Sequence, residues 1–318
     1  MRVARGIAEL PLEEPATVAT VGFFDGVHRG HQAVLARTVE RARERGVTSV
    51  AVTFDRHPRE VLTPGAEPRL LTTVQRKAAL IEAAGIDVLV ILAFTEAFSE
   101  VSAEAFVRDV LVGGMHAQHA VMGANSTFGH RALGTVETLP ELGRPYGLSS
   151  ESVDLRRLDG RTVSSSSIRE ALARGELNWP TVALGRRFVL DGEVVSGHGR
   201  GTGLGFPTAN LRTWPRLLLP GQGIYGGIAE YASRRYRAAI DVGTNPTFGV
   251  EPLHVEAFLL EFGGDELRGE EISVEFWARL RDEQPFDGVE PLVRAMADDV
   301  RRTEELVPRE ALEPSSRW

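Results

Sequence analysis

Three short runs in the first half of the chain, residues 17–24, 49–54 and 86–94, are apolar or small at nearly every position. A strand with one wet face alternates apolar and polar residues. A run without a polar face must be covered on both sides, as happens in a parallel sheet sandwiched between helices. The stretches between them carry helical spacing: 32–45, 74–84 ending at Gly85, and 102–111 with Ser102 as N-cap. Further strands are expected at 118–123 and 148–155. This alternation predicts a doubly wound α/β domain, whose ligands sit beyond the carboxyl ends of the strands.

From about residue 184 the pattern changes. Short β-type runs at 188–195, 224–231, 236–242, 255–262 and 272–276 are separated by Gly and Pro clusters. They predict a small antiparallel β-barrel, closed off by a terminal helix over 288–306. Residues 176–183, with Pro180, are the expected junction, so the two domains are 1–183 and 184–318.

Composition narrows the function. The net charge is −8, against the basic balance of a non-specific nucleic-acid binder, yet local Arg, His and helix ends can still hold small anions. There is no cysteine, hence no disulfide or thiolate metal site, and this fits a reducing compartment. Residues 1–15 do not resemble a signal peptide, and no apolar stretch approaches the length of a membrane span. The expectation is a cytoplasmic protein whose partners are small molecules, not nucleic acid or a membrane.

The chemistry concentrates at four places. The end of the first apolar run opens the segment Gly22-Phe23-Phe24-Asp25-Gly26-Val27-His28-Arg29-Gly30-His31. Two histidines three residues apart at a helix mouth, flanked by glycines, suit a polyphosphate, because a helix N-terminus offers unpaired N–H groups and a positive dipole end. A polar cluster, Asp55-Arg56-His57-Pro58, follows the second run. A glycine-framed polar loop, Gly123 to Gly129, follows the fourth strand and includes Asn125, Ser126 and Phe128. Four serines, 164–167, precede Arg169 and Glu170. Ser167 and Glu170 read as a capping box, making this segment a second phosphate cradle. A polyphosphate held between histidine and serine-arginine cradles is a geometry for nucleotidyl transfer.

In the second half, Gly197, Gly199, Gly201, Gly203 and Gly205 form a glycine-rich loop running into Phe206-Pro207-Thr208-Ala209-Asn210. Thr208 and Asn210 point the same way from an extended backbone and offer oxygen ligands to a hard ion such as magnesium. Glu256, in a β-type run, can serve as a base beside a transferred phosphoryl group.

Taken together, these motifs resemble the bacterial bifunctional riboflavin kinase/FAD synthetase family. The first module matches over 17–175 and the second over about 184–306. The resemblance implies a nucleotidyltransferase domain that adenylylates FMN to FAD, and a flavokinase domain that phosphorylates riboflavin to FMN. ATP is the co-substrate and Mg2+ the cofactor. By this likeness His28 and His31 contact ATP phosphates and act in catalysis, with Gly22, Asp25, Gly30, Ser164, Ser165 and Arg169 as phosphate ligands. Asn125 and Phe128 fall to the flavin side. In the flavokinase module, Thr208 and Asn210 hold magnesium, Glu256 is the catalytic base, and Gly199, Arg200, Gly203 and Gly205 close over ATP. Phe206, Pro207 and Phe286 belong to the flavin pocket. The chain departs from the family pattern at Arg56, where proline is usual, at Ser126, where an aromatic residue is usual, and at Ser166, where threonine is usual. Two rival readings follow: a riboflavin kinase whose first domain has lost or changed its transferase activity, and a flavin-sensing protein without turnover.

Overall fold

The computed structural model describes residues 1–10, 16–197, 203, 205–244, 253–264 and 267–313. By compactness the chain divides into two units. One comprises residues 1–69 and 74–165, the other 70–73 and 166–318.

The first unit holds a six-stranded, wholly parallel sheet of β1 (Arg2–Ala4), β2 (Thr17–Val21), β3 (Thr48–Phe54), β4 (Val88–Leu92), β5 (Ala117–Gly123) and β6 (Ser149–Val153), in the order β1-β4-β3-β2-β5-β6. The continuous apolar runs are explained by burial on both faces. Along β3 and β4, Val50, Val52, Phe54, Val88, Val90 and Leu92 enter one core, while Ala51, Leu89 and Ile91 enter another. The latter is covered by α1 (Arg29–Arg45) and α2 (Val74–Ala83), through Leu35, Val39, Leu80 and Ile81. Arg37 and Arg41 of α1 both bond Glu151 on β6, and with the Arg41 guanidinium foremost they pull that carboxyl down to about 2.

Three expectations for this unit need adjustment. The strand expected over 17–24 stops at Val21, because Phe24 takes a left-handed conformation. The helix capped by Ser102 continues to Gly114 as a π-type segment, Phe106–Gly114. The edge strand β1 was not foreseen: three residues are too few to display a period.

The second unit is a closed antiparallel barrel of β7 (Phe188–Val195), β8 (Thr208–Thr213), β9 (Gly223–Tyr231), β10 (Arg234–Gly243), β11 (His254–Leu259) and β12 (Glu271–Arg281), ordered β7-β8-β11-β10-β9-β12. Alternation fills much of its interior: Phe188, Leu190, Ala209, Leu211, Ile240, Val255, Ala257, Val274 and Phe276 are buried between less buried chain neighbours, whereas β9 is buried at every position from Gly223 to Ala229. Gly227 sits where the β9–β12 register shifts; a Cβ there would lie 2.0 Å from the Glu275 carbonyl oxygen. The short segment 70–73 belongs to this unit, since the Leu70 N–H donates to Arg216 O and Leu70 O accepts from the Leu218 N–H.

The expected junction at 176–183 is instead largely helical. Two helices, α3 (Ser165–Ala173) and α4 (Asn178–Leu184), lead into the barrel, and Pro180 lies in the first turn of α4, where its missing N–H has no helical partner to lose. Because α3 begins at Ser165, Ser167 lies inside the helix and cannot be its cap; the capping-box reading of Ser167 and Glu170 fails for that reason.

The terminal helix, α5 (Val289–Leu306), is fixed to the barrel by Asp299, a buried carboxylate gripped at 2.8 and 3.1 Å by the Arg281 guanidinium. Removing one partner of a buried pair leaves the other uncompensated. Asp299→Ala is therefore expected to destabilise the second unit by about 3 kcal/mol or less, Arg281 being partly hydrated. Denaturant unfolding followed by far-UV circular dichroism measures this.

Candidate active sites

The order β4-β3-β2-β5-β6 reverses direction between β2 and β5: the chain winds outward from β2 to β4, then returns to the other side of β2. Loops leaving the carboxyl ends of β2 and β5 diverge there and open a crevice. The two loops are the histidine segment and the glycine-framed segment.

After β2 the backbone turns sharply. Phe24, Gly26 and Val27 all have positive φ (53°, 77° and 39°). For a β-branched residue such as Val27 this is strained, at a cost of roughly 1–3 kcal/mol, a device found at ligand sites. The strained turn delivers His28 to the N-cap of the 17-residue α1, where its Nδ1 accepts the His31 N–H at 3.3 Å. An accepting Nδ1 leaves the proton of neutral His28 on Nε2, which can then donate. The two imidazoles stack, with centroids 3.6 Å apart and planes within 19°. Gly30 permits this approach, since a Cβ at that position would lie 3.1 Å from the His28 ring. His31 also meets Phe24 edge-on, and its Nδ1 is buried with no hydrogen-bonding partner among the described residues. Burial, then His28, then Lys77 hold the His31 imidazole well below its ordinary pKa, so it is neutral at physiological pH.

The serine segment comes to this loop as expected. The Ser165 hydroxyl donates to the Asp25 carbonyl at 3.0 Å, and the Val163 carbonyl faces Gly30. Ser164 lies between these contacts. Arg169 falls in the second unit, where its guanidinium donates to Ser166 Oγ at 3.3 Å. Asp25 is itself buried, and the Gly22 N–H donates to Val52 O, so that amide serves the sheet rather than a ligand.

At the end of β3, Asp55 accepts the Phe94 N–H at 2.9 Å and pairs with exposed Arg56 at 3.0 Å, while His57 packs edge-on against Phe23 at 4.8 Å. In the loop after β5, the Ser126 N–H closes a tight turn on Gly123 O and Asn125 is exposed. Phe128 is placed differently from the flavin role expected of it: it is buried in the core against Phe106 and the Gly134 backbone, so its ring is taken up by packing.

Lys77 escaped the sequence reading. It is 3 % exposed, and its ammonium donates to Phe23 O (3.1 Å) and Phe54 O (3.3 Å) while lying 4.2 Å over the Phe23 ring. A lysine in a helical pattern reads as a solvated face, and only the sheet topology reveals it as an internal cation.

In the barrel unit, Asn210, Glu256 and Asp241 stand side by side across β8, β11 and β10, on the outer face. Thr208 donates its hydroxyl hydrogen to Glu256 Oε2 at 2.7 Å, and His254 Nε2 lies 3.4 Å from Oε1. Asn210 packs so closely on Gly197 that a Cβ there would be 2.2 Å from the amide nitrogen. Phe206 meets Phe258 edge-on at 5.4 Å, Pro207 is exposed, and half-buried Phe286 lies beneath the Arg281 guanidinium. Gly203 and Gly205 are exposed; Gly199, Arg200 and most of the turn at 243–249 lie outside the described residues. Among the described residues no three His, Cys, Asp or Glu side chains are grouped to hold a metal ion.

Asp241 and Glu283 were also missed, because a lone acid in a strand pattern carries no motif. Glu283 accepts the Thr244 N–H at 3.0 Å, and Asp241 Oδ1 is buried without a hydrogen-bonding partner among the described residues. Burial, then the charges of Glu283 and Glu256, push the Asp241 carboxyl up to about 7. An unfolded aspartate ionises near pH 4. The folded state thus holds the extra proton between these values, and stability from this group declines as pH rises from about 4 to 7. Asp241→Asn cannot ionise, so its thermal midpoint relative to the parent protein should rise progressively across that interval and then level off. A pH series of melting curves checks this.

Comparison with known proteins assigns a family model to each half of the chain. The FAD synthetase family model matches residues 11–167 and the riboflavin kinase family model residues 184–307. A bifunctional riboflavin kinase/FMN adenylyltransferase from Pseudomonas fluorescens is 38% identical over 94% of this chain and 96% of its own length. One from Bacillus subtilis is 34% identical, over 90% and 91%. A solved structure named as a macrolide-efflux protein from Streptococcus pneumoniae superposes with a TM-score of 0.85 at 28% identity, covering 96% of this chain and 99% of that one. The efflux name belongs to that protein; among the described residues here no helix is long and apolar enough to cross a membrane.

Proposed function

Because the chain belongs to the family of bifunctional riboflavin kinase/FMN adenylyltransferases, we propose that its barrel unit converts riboflavin to FMN and its α/β unit converts FMN to FAD, each with ATP. Domains 1–183 and 184–318 carry the two steps. A chain without cysteine fits a reducing compartment, and we place both reactions in the cytoplasm.

The observation that carries the kinase reading is the Thr208–Glu256 hydrogen bond, which orients a carboxylate on the strand position opposite Asn210. Glu256 takes the proton of the riboflavin 5′ hydroxyl as its oxygen attacks the γ-phosphorus of ATP, and ADP leaves. Phe206, Pro207 and Phe286 hold the flavin, and residues 199–205 cover ATP. The side-chain oxygens of Thr208 and Asn210 suit a hard divalent ion: the Thr208 hydrogen goes to Glu256, which leaves its oxygen lone pairs open. Magnesium held there would neutralise charge on the transferred phosphate.

In the α/β unit the FMN phosphate attacks the α-phosphorus of ATP and pyrophosphate leaves. His28, donating from Nε2 at the head of α1, and neutral His31 stabilise the charge on the departing oxygens. Gly30, the Asp25 turn, Ser164 and Ser165 complete the phosphate cradle, and Asn125 lies on the flavin side.

Incubation with riboflavin, ATP and magnesium, followed by chromatography of the flavins, should yield FAD. FMN alone would restrict the activity to the kinase, and unchanged riboflavin would leave only a binding protein. Glu256→Ala should slow FMN formation by roughly 10²–10⁴ and spare FMN-to-FAD conversion. His28→Ala should do the reverse, by about 10² or more, with about 1 kcal/mol of stability lost as the helix loses its cap.

A further inference from the structure

Two carbonyl oxygens, of Phe23 and Phe54, lie at the carboxyl ends of β2 and β3, beside the histidine cradle. Bare carbonyl oxygens there would repel a triphosphate. Both instead accept from one buried ammonium, that of Lys77, which meets the face of the Phe23 ring as well; the Phe23 oxygen also accepts the Thr53 hydroxyl at 3.0 Å. The three Lys77 contacts join segments separated by 31 positions, and through them the loop bearing His28 is fixed to the loop bearing Asp55.

We propose that Lys77 is a positioning residue for the adenylyl-transfer reaction: it clamps the loops after β2 and β3 together and presents a positive charge behind the phosphate cradle. This rests on the transferase reading given above. Lys77 reaches the cradle electrically too, because its charge helps hold His31 unprotonated. Burial draws the lysine down to about 8, while Asp25 and Asp55 oppose that shift, so it stays largely charged at neutral pH. A purely structural residue at this place would be apolar: burying an ammonium is costly even where carbonyl oxygens solvate it, and methionine would fill the same space.

The test compares the two reactions of the same protein. Lys77→Met should raise the KM for ATP in FMN adenylylation about tenfold or more, leave the KM for FMN within about twofold, and leave riboflavin phosphorylation unchanged. In Lys77→Ala, n-butylammonium should restore part of the adenylylation and neutral n-butanol should not. Loss of both reactions together, or an unaltered adenylylation in Lys77→Met, overturns the proposal. Should neither variant fold, the parent protein labelled with ¹⁵N at lysine Nζ remains informative. A non-hydrolysable ATP analogue is expected to shift the buried lysine resonance, and an unmoved signal overturns the proposal. If the parent protein itself makes no FAD from FMN, the transferase reading fails, and that result is distinct from all of these.

Discussion

Reversal of strand order at β2 is the constraint on which the first unit's chemistry depends. Parallel strands wound outward on one side, then on the other, leave two loops diverging at their carboxyl ends. The left-handed turn at 24–27 becomes worthwhile only there, because it brings the head of a long helix up to the crevice. Strain of this kind persists when its surroundings over-determine it. Here the surroundings are particular: Ser165 holds the Asp25 carbonyl, Lys77 holds the Phe23 carbonyl, and Gln32 holds the Val27 carbonyl at 2.8 Å. With Thr53 of β3, which also donates to the Phe23 carbonyl, side chains from four elements fix one short loop.

The barrel solves a different problem. Its interior is apolar, so chemistry is confined to the outer face, where alternation leaves every second residue of β7, β8 and β11 available. Register then does what a loop does in the first unit. Asn210 opposite Glu256, and Glu256 opposite Asp241, place an amide and two acids in a row that no local sequence pattern announces. A shift of one residue in β11 would turn Glu256 inward and destroy the row.

Sequence and structure agree best where the physics is local. Unbroken apolar runs announced the buried parallel strands, and the His28–His31 pair announced the mouth of α1. Short β-type runs between Gly and Pro clusters announced five of the barrel strands; β8 was recognised only as extended backbone around Thr208. What escaped was non-local. Lys77 and Asp241 look like ordinary helix and strand polar residues until topology surrounds them. Phe128 was assigned to a flavin on the strength of its loop, but the ring finds Phe106 first. Ser167 looked like a cap because Glu170 follows three residues later, yet the helix starts two residues earlier, at Ser165.

The segment 70–73 has a consequence for how the molecule comes apart. It lies far back in the chain, within the span of the first unit, but its backbone is paired with Arg216 and Leu218 of the second. The polypeptide therefore passes between the compact units more than once. A protease that nicks the connection near Ser165 would leave one segment of the second unit, residues 70–73, on the amino-terminal fragment. The two activities are modular in chemistry, but a cut between two residues does not separate the units cleanly along the chain.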